Sequence, residues 1–93
     1  MAARGYTFQA DVSTTAAQLT SVARNGAYGF TVRALSANTG KVYFGYAVTV
    51  GSTTGMELAA GESYWISKNS ADDVTDLYLI ASTGTQRVAI EGG

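Results

Sequence analysis

The sequence predicts an all-β domain, a small antiparallel β-sandwich of jelly-roll or immunoglobulin-like character with roughly six to eight short strands. Three observations predict it. Apolar and polar residues alternate with a period of two in short runs, as in Tyr6-Thr7-Phe8-Gln9-Ala10-Asp11. Glycines fall between these runs, where a turn needs positive φ or a strand must pass closely. Turn signals recur at spacings of about 8–12 residues, the rhythm of sandwiches and barrels.

The first strand covers residues 6–11, with Tyr6, Phe8 and Ala10 facing inward. Residues 13–20 are rich in Ser, Thr and Ala. Their hydroxyl and β-branched side chains argue against a long helix, and the reading is a turn or bulge with Leu19 and Val22 tucked in. Arg24-Asn25-Gly26 is a tight-hairpin signal, because Asn-Gly suits left-handed backbone. The strand at 28–36 sets Phe30, Val32 and Ala34 against Thr31, Arg33 and Leu35.

Ala37-Asn38-Thr39-Gly40 turns the chain into a strand at 41–50, with Val42, Phe44, Tyr46 and Val48 on one face. Gly45 on the other face allows a bend or a close approach. A small-residue loop at 51–55 precedes a brief inward segment holding Met56 and Leu58. The strand at 62–68 puts Tyr64 and Ile66 opposite Trp65. A polar loop fills 69–76. Residues 77–82 are apolar on both faces, as in a central strand covered on both sides. Thr83-Gly84 turns into residues 86–91, where Val88 and Ile90 alternate with Arg87 and Ala89.

Ninety-three residues make one domain, 1–93. A domain of this size buries only about 60–65% of its unfolded surface, so assembly would help it. The hydrophobic fraction of 46% is globular, and the charged fraction of 14% is low. Few charges give little protection against association, so part of the surface is expected to be covered in use. A net charge of −1 offers no basic stripe, which argues against nucleic acid as a partner. No run approaches the roughly 20 apolar residues of a membrane helix. Met1-Ala2-Ala3-Arg4-Gly5 lacks a signal peptide's apolar stretch, which predicts a soluble product made in a cytoplasm.

The chain has no histidine and no cysteine. That removes the usual general base, the thiolate nucleophile and the two commonest zinc ligands. The carboxylates sit at turns: Glu57 and Glu62 flank Ala59-Ala60-Gly61, and Asp72, Asp73 and Asp76 share one loop. Asn69, Asp72, Asp73 and Asp76 carry oxygens that calcium takes, yet their spacing is not an EF-hand and the sharp-turn glycine is missing. Asp residues capping turns explain them better. No phosphate-loop glycine pattern occurs. The reading is no enzyme, no cofactor and no metal.

The aromatics divide between two strand faces. Tyr6, Phe8, Phe30, Phe44 and Tyr46 belong to the inward faces and read as core. Leu35, Tyr43, Trp65, Tyr78 and Ile80 lie on the opposite faces. These five are the interface candidates, with the second layer of the sandwich and a carbohydrate platform as the other readings.

Three runs carry a resemblance: Asn38-x-Gly40-x-Val42-Tyr43-x-Gly45, then Thr54-Gly55-x-x-Leu58-x-x-Gly61-Glu62-Ser63, then Asp76 to Gly84. In order and spacing they resemble small bacteriophage accessory virion proteins of the head-decoration, or cement, type, over a little more than half of the chain. Phe44-Gly45-Tyr46 is bulkier than the pattern's usual residues there. The resemblance implies a protein on the phage head surface that binds the major capsid protein, stabilises the shell and forms a homotrimer. It carries no catalytic residues. A head-fibre base, a minor tail protein and a carbohydrate-binding module that aids host adsorption are the alternatives.

Overall fold

The computed structural model describes residues 6–19, 29–67 and 74–92. They form eight strands: β1 (Tyr6–Val12), β2 (Ala17–Gln18), β3 (Gly29–Ala34), β4 (Val42–Gly45), β5 (Met56–Leu58), β6 (Ser63–Ser67), β7 (Tyr78–Ala81) and β8 (Gln86–Gly92). A single 3-10 turn at Val74–Asp76 precedes β7, and no α-helix occurs among the described residues. The first sheet has the order β1-β8-β3-β6 and the second β2-β7-β4-β5, with every pairing antiparallel.

That order decides between the two sandwich types. First pairs with last, second with seventh, third with sixth and fourth with fifth. The chain is thus a long two-stranded ribbon, folded back at the β4–β5 connection and wrapped into two sheets. This is the jelly roll. The immunoglobulin-like alternative falls away.

Each sheet contributes one alternating face to the core. Phe30, Val32 and Ala34 of β3 and Val88 and Ile90 of β8 come from the first sheet. Val42 and Phe44 of β4 and Leu79 and Ala81 of β7 come from the second. Leu19 and Val74 join from the segments beside β2 and β7. Tyr6, Phe8 and Ala10 of β1 pack against this core from an outer strand and stay partly buried, with the Tyr6 and Phe8 rings stacked at 6.3 Å. Leu77 is buried as expected but precedes β7 rather than opening it.

One expectation is overturned in β4. The sequence continues its alternation through Tyr46 and Val48, yet the strand ends at Gly45 and both side chains are exposed. The chain leaves the sheet into consecutive turns, with Val50 N–H donating to Ala47 C=O at 3.1 Å and Gly55 N–H to Gly51 C=O at 2.8 Å. These turns carry Val50 back over the outer face of the second sheet. There it seats against Gly45 and Gly55. A Cβ at either would lie 3.1 Å and 2.7 Å from a Val50 methyl, so the glycines make room for it. The close approach read from Gly45 is real, and its partner is a side chain from the next loop.

Met56 also departs from its inward reading and is exposed, although it pairs with buried Phe44. β5 is an edge strand, yet Leu58 two residues along it is buried, so the difference lies in what faces each position. The Arg24-Asn25-Gly26 turn, Val22 and the oxygen-bearing residues Asn69, Asp72 and Asp73 lie outside the described residues.

Substitution separates the two ends of the β4 alternation. Phe44→Ala should cost about 3–5 kcal/mol, the usual loss for a buried phenylalanine. Tyr46→Ala should stay within about 0.5 kcal/mol, as exposed sites do. Urea unfolding of both variants measures the contrast, and comparable losses would put Tyr46 in the core.

Candidate interaction surface

The connections β1–β2, β3–β4, β5–β6 and β7–β8 gather at one end of the sandwich and are tied together there. Ala81 N–H donates to Ser13 C=O, Ser82 N–H to Lys41 C=O, and Gly61 N–H to Ala34 C=O. Gln86 is the buried polar residue at the centre of this end. Its Oε1 accepts from the Thr39 and Gly40 N–H groups at 2.9 and 3.1 Å, and its Nε2 donates to Thr83 C=O at 2.7 Å. Asn38 extends β8 as a strand residue would: its Nδ2 donates to Arg87 C=O, and its Oδ1 accepts from Arg87 N–H, each at 2.9 Å. Lys41 N–H donates to Ser82 Oγ.

These contacts give the motif residues a physical role. Asn38 and Gly40 of the first run meet Ser82 and Thr83 of the third through Gln86 and β8. In the second run Thr54 Oγ1 donates to Thr49 C=O, Leu58 is core, and Glu62 Oε1 accepts the Ala59 N–H across the turn. The turn residues of the runs therefore hold the scaffold.

The five interface candidates do not share one surface. Tyr43, Tyr78 and Ile80 lie together on the outer face of the second sheet, half-buried, with Tyr43 directly opposite Ile80 and Tyr78 opposite Gly45. Lys41 and Glu57 flank them with an ion pair at 3.1 Å. The hydrogen bond to Glu57, and then its charge, raise the Lys41 pKa above the ordinary 10.5. What the pair contributes is therefore present below that value and lost as pH rises through the raised one. Trp65 lies on the outer face of the first sheet, at its edge, opposite Thr31. Leu35 is at the tied end, lining a shallow hollow with Asn38, Gln86 and Arg87.

Among the described residues the large apolar side chains with most exposure are Tyr46, Val48, Met56, Tyr64 and Trp65, between 44% and 62% accessible. Only Trp65 was among the sequence candidates. Tyr46, Val48 and Met56 share the β4–β5 hairpin. Tyr64 faces inward but sits on edge strand β6, where its ring leans on Phe44 at 5.3 Å. Alternation alone places these residues inside. The signals that move them out are the early end of β4 and the edge positions of β5 and β6, which depend on strand order.

Among the described residues no three His, Cys, Asp or Glu side chains converge to hold a metal. A hollow lined by Val12, Leu19, Leu79 and Gln18 measures about 220 Å³. The second ion pair, Arg87 with Asp11 at 3.0 Å, is exposed. No helix among the described residues is long and apolar enough to cross a membrane. Comparison with protein-family models, with curated proteins and with solved structures finds no match. The class of protein rests on the fold: an all-β, two-sheet sandwich whose notable surface is apolar.

Gln86→Leu tests the tied end. It leaves the Thr39 and Gly40 N–H groups without their acceptor and should destabilise by about 1–3 kcal/mol. Amide exchange should quicken at Thr39 and Gly40, while protection in β3 is unchanged at matched stability. Unaltered exchange at those two amides would show that Gln86 does not hold the turn.

Proposed function

We propose that this chain is a structural virion protein, a decoration protein that binds the outside of an assembled phage head and bridges neighbouring major capsid subunits. The observation that carries the reading is the exposed apolar group on the β4–β5 hairpin, Tyr46, Val48 and Met56. Exposed apolar side chains along one hairpin of a small, charge-poor sandwich suit contact with another protein. The motif resemblance supplies the identity of that protein, the major capsid protein. Synthesis in the host cytoplasm and residence on the head surface follow from this role.

The mechanism is linkage. A protein that binds the assembled shell and not its separate subunits stabilises the shell by about 2.7 kcal/mol at a hundredfold excess over Kd. No catalytic step is required. The self-contact of a homotrimer falls on the outer face of the second sheet, where Tyr43, Tyr78 and Ile80 form a compact half-buried patch. A cyclic trimer sets such a patch against a different patch on the next copy and closes the ring. Tyr43 is its natural anchor, since aromatics dominate interface energetics.

Phage heads stripped of the protein should rupture at a lower temperature than heads to which it is added back. Val48→Asp should weaken rebinding about tenfold or more, as loss of a central apolar contact does. Equal rupture temperatures with and without the protein would overturn cementing. Particle imaging that places the protein at a fibre base or in the tail would favour that assignment instead. Light scattering should give a mass of three 9.6 kDa chains, or a multiple of three. A monomer at micromolar concentration would remove the trimer in solution.

One observation favours a second reading. Trp65 is exposed beside a polar row in which Thr31 pairs with Glu91 and Glu91 with Thr7. An aromatic next to hydrogen-bonding groups suits a sugar ring. Glycan-array binding that disappears in Trp65→Ala would support a carbohydrate-binding module and displace cementing as the main role.

A further inference from the structure

The connection between β4 and β5 runs from the residue after Gly45 to the one before Met56, ten residues in all. Hairpin loops ordinarily take roughly two to five, and longer ones tend to carry function. This one reads Tyr46-Ala47-Val48-Thr49-Val50-Gly51-Ser52-Thr53-Thr54-Gly55, with no charge and no proline. Its length does not leave it open. Val50 N–H donates to Ala47 C=O at 3.1 Å, Thr54 N–H to Gly51 C=O at 3.2 Å, and Thr54 Oγ1 to Thr49 C=O at 2.9 Å. The side chains divide. Val50 is the one buried residue of the loop, whereas Tyr46 and Val48 are 50% and 62% accessible.

Val50 is buried apart from the core between the sheets. The register that pairs Phe44 with Met56, carried one step further, sets Gly45 opposite Gly55. The two glycines leave a notch at the base of the loop, and Val50 fills it. A Cβ on Gly55 would lie 2.7 Å from a Val50 methyl carbon, and would also crowd the carbonyls of Gly51 and Phe44 at 3.0 and 3.1 Å. A Cβ on Gly45 would lie 3.1 Å from the same methyl and, its chain neighbours aside, would meet nothing but Val50 within 4 Å. Neither glycine has positive φ, so the backbone does not demand glycine at either place. At Gly45, room for Val50 is the reason that remains.

We propose that Val50 is a latch and a positioning residue: it holds the 46–55 loop in one conformation before a partner arrives, so that Tyr46 and Val48 meet that partner already placed. The positioning role rests on the reading of this hairpin as a contact with the capsid shell; the latch itself does not. A loose loop would have to be ordered on binding, and the cost of ordering its side chains would be subtracted from the affinity. Where only a fraction of the molecules holds the competent loop, the apparent Kd rises by the inverse of that fraction. Val50 is covered by its own protein, so its effect on binding passes through the two exposed side chains.

The test uses the full-length chain and two substitutions that bring no charge. Gly45→Val drives a branched side chain into the notch and displaces Val50. Val50→Ala empties the notch from the other side. Each should quicken amide exchange at residues 50, 54 and 55 by about tenfold, the loss expected for two seated methyl groups. Protection in β3 and β8 should be unchanged at matched stability, which shows that the variants are folded. The two substitutions together should exchange more slowly than either alone, because the new methyl groups fill the space that the lost ones vacate. Rebinding to stripped phage heads should follow the same order: about tenfold weaker where one molecule in about ten holds the competent loop, and stronger in the double variant than in Gly45→Val. Exchange as slow as the parent's at residues 50, 54 and 55 in both single variants would overturn the latch. A loosened loop that rebinds as tightly as the parent would overturn the positioning role and leave the shell contact standing. A parent that does not rebind stripped heads at all would remove the shell contact, and the positioning role with it, while the exchange measurement on the free protein still decides the latch.

Discussion

The fold depends on β8 being paired on both sides. The last strand of the chain lies between the first strand and the third, with Val88 and Ile90 fully buried beneath it. No disulfide and no metal site among the described residues shares that task. The first sheet is therefore closed by the residues farthest apart in sequence. Long-range pairing of this kind is slow to form, because loop closure must precede the contacts that reward it. Gln86, the first residue of β8, then fixes the β3–β4 connection to the end of the same strand.

This arrangement separates the duties of the surface. One end is closed by backbone and side-chain hydrogen bonds around Gln86 and Asn38, and its residues are occupied with holding turns. The β4–β5 hairpin near the other end carries exposed apolar side chains. The outer face of the second sheet carries Tyr43, Tyr78 and Ile80, partly sheltered by the loop that delivers Val50. Among the described residues β6 pairs with β3 alone, at the end of the first sheet. Exposed or half-exposed apolar side chains thus lie in more than one place on this small domain.

The motif runs illustrate how a resemblance and a mechanism can part company. Asn38, Gly40, Glu62, Ser82 and Thr83 all make contacts that shape turns, so their recurrence reports the scaffold. Of the residues proposed to touch partners, Tyr43, Met56, Tyr78 and Ile80 lie within those runs, and Tyr46 and Val48 lie outside them. A fold can be held by such turns while its binding surfaces vary, which is why function is argued from the exposed hairpin and edges.

The sequence by itself determined the all-β class, the period-two faces and most of the turns. Those depend on local chemistry: alternation selects a strand, and glycine permits positive φ, as Gly61 and Gly84 adopt in their turns. Phe30, Val32, Phe44, Val88 and Ile90 were legible as core for the same reason. Tertiary structure alone decided jelly roll over immunoglobulin-like, because strand order is a matter of which distant segments pair. It alone divided Leu35, Tyr43, Trp65, Tyr78 and Ile80 among three places, since a residue's strand face says nothing of which sheet its strand joins. It alone exposed Met56 and Tyr64 while burying Leu58 and Ile66 on the same strands. Along an edge strand burial depends on what lies opposite each position, which strand alternation does not specify.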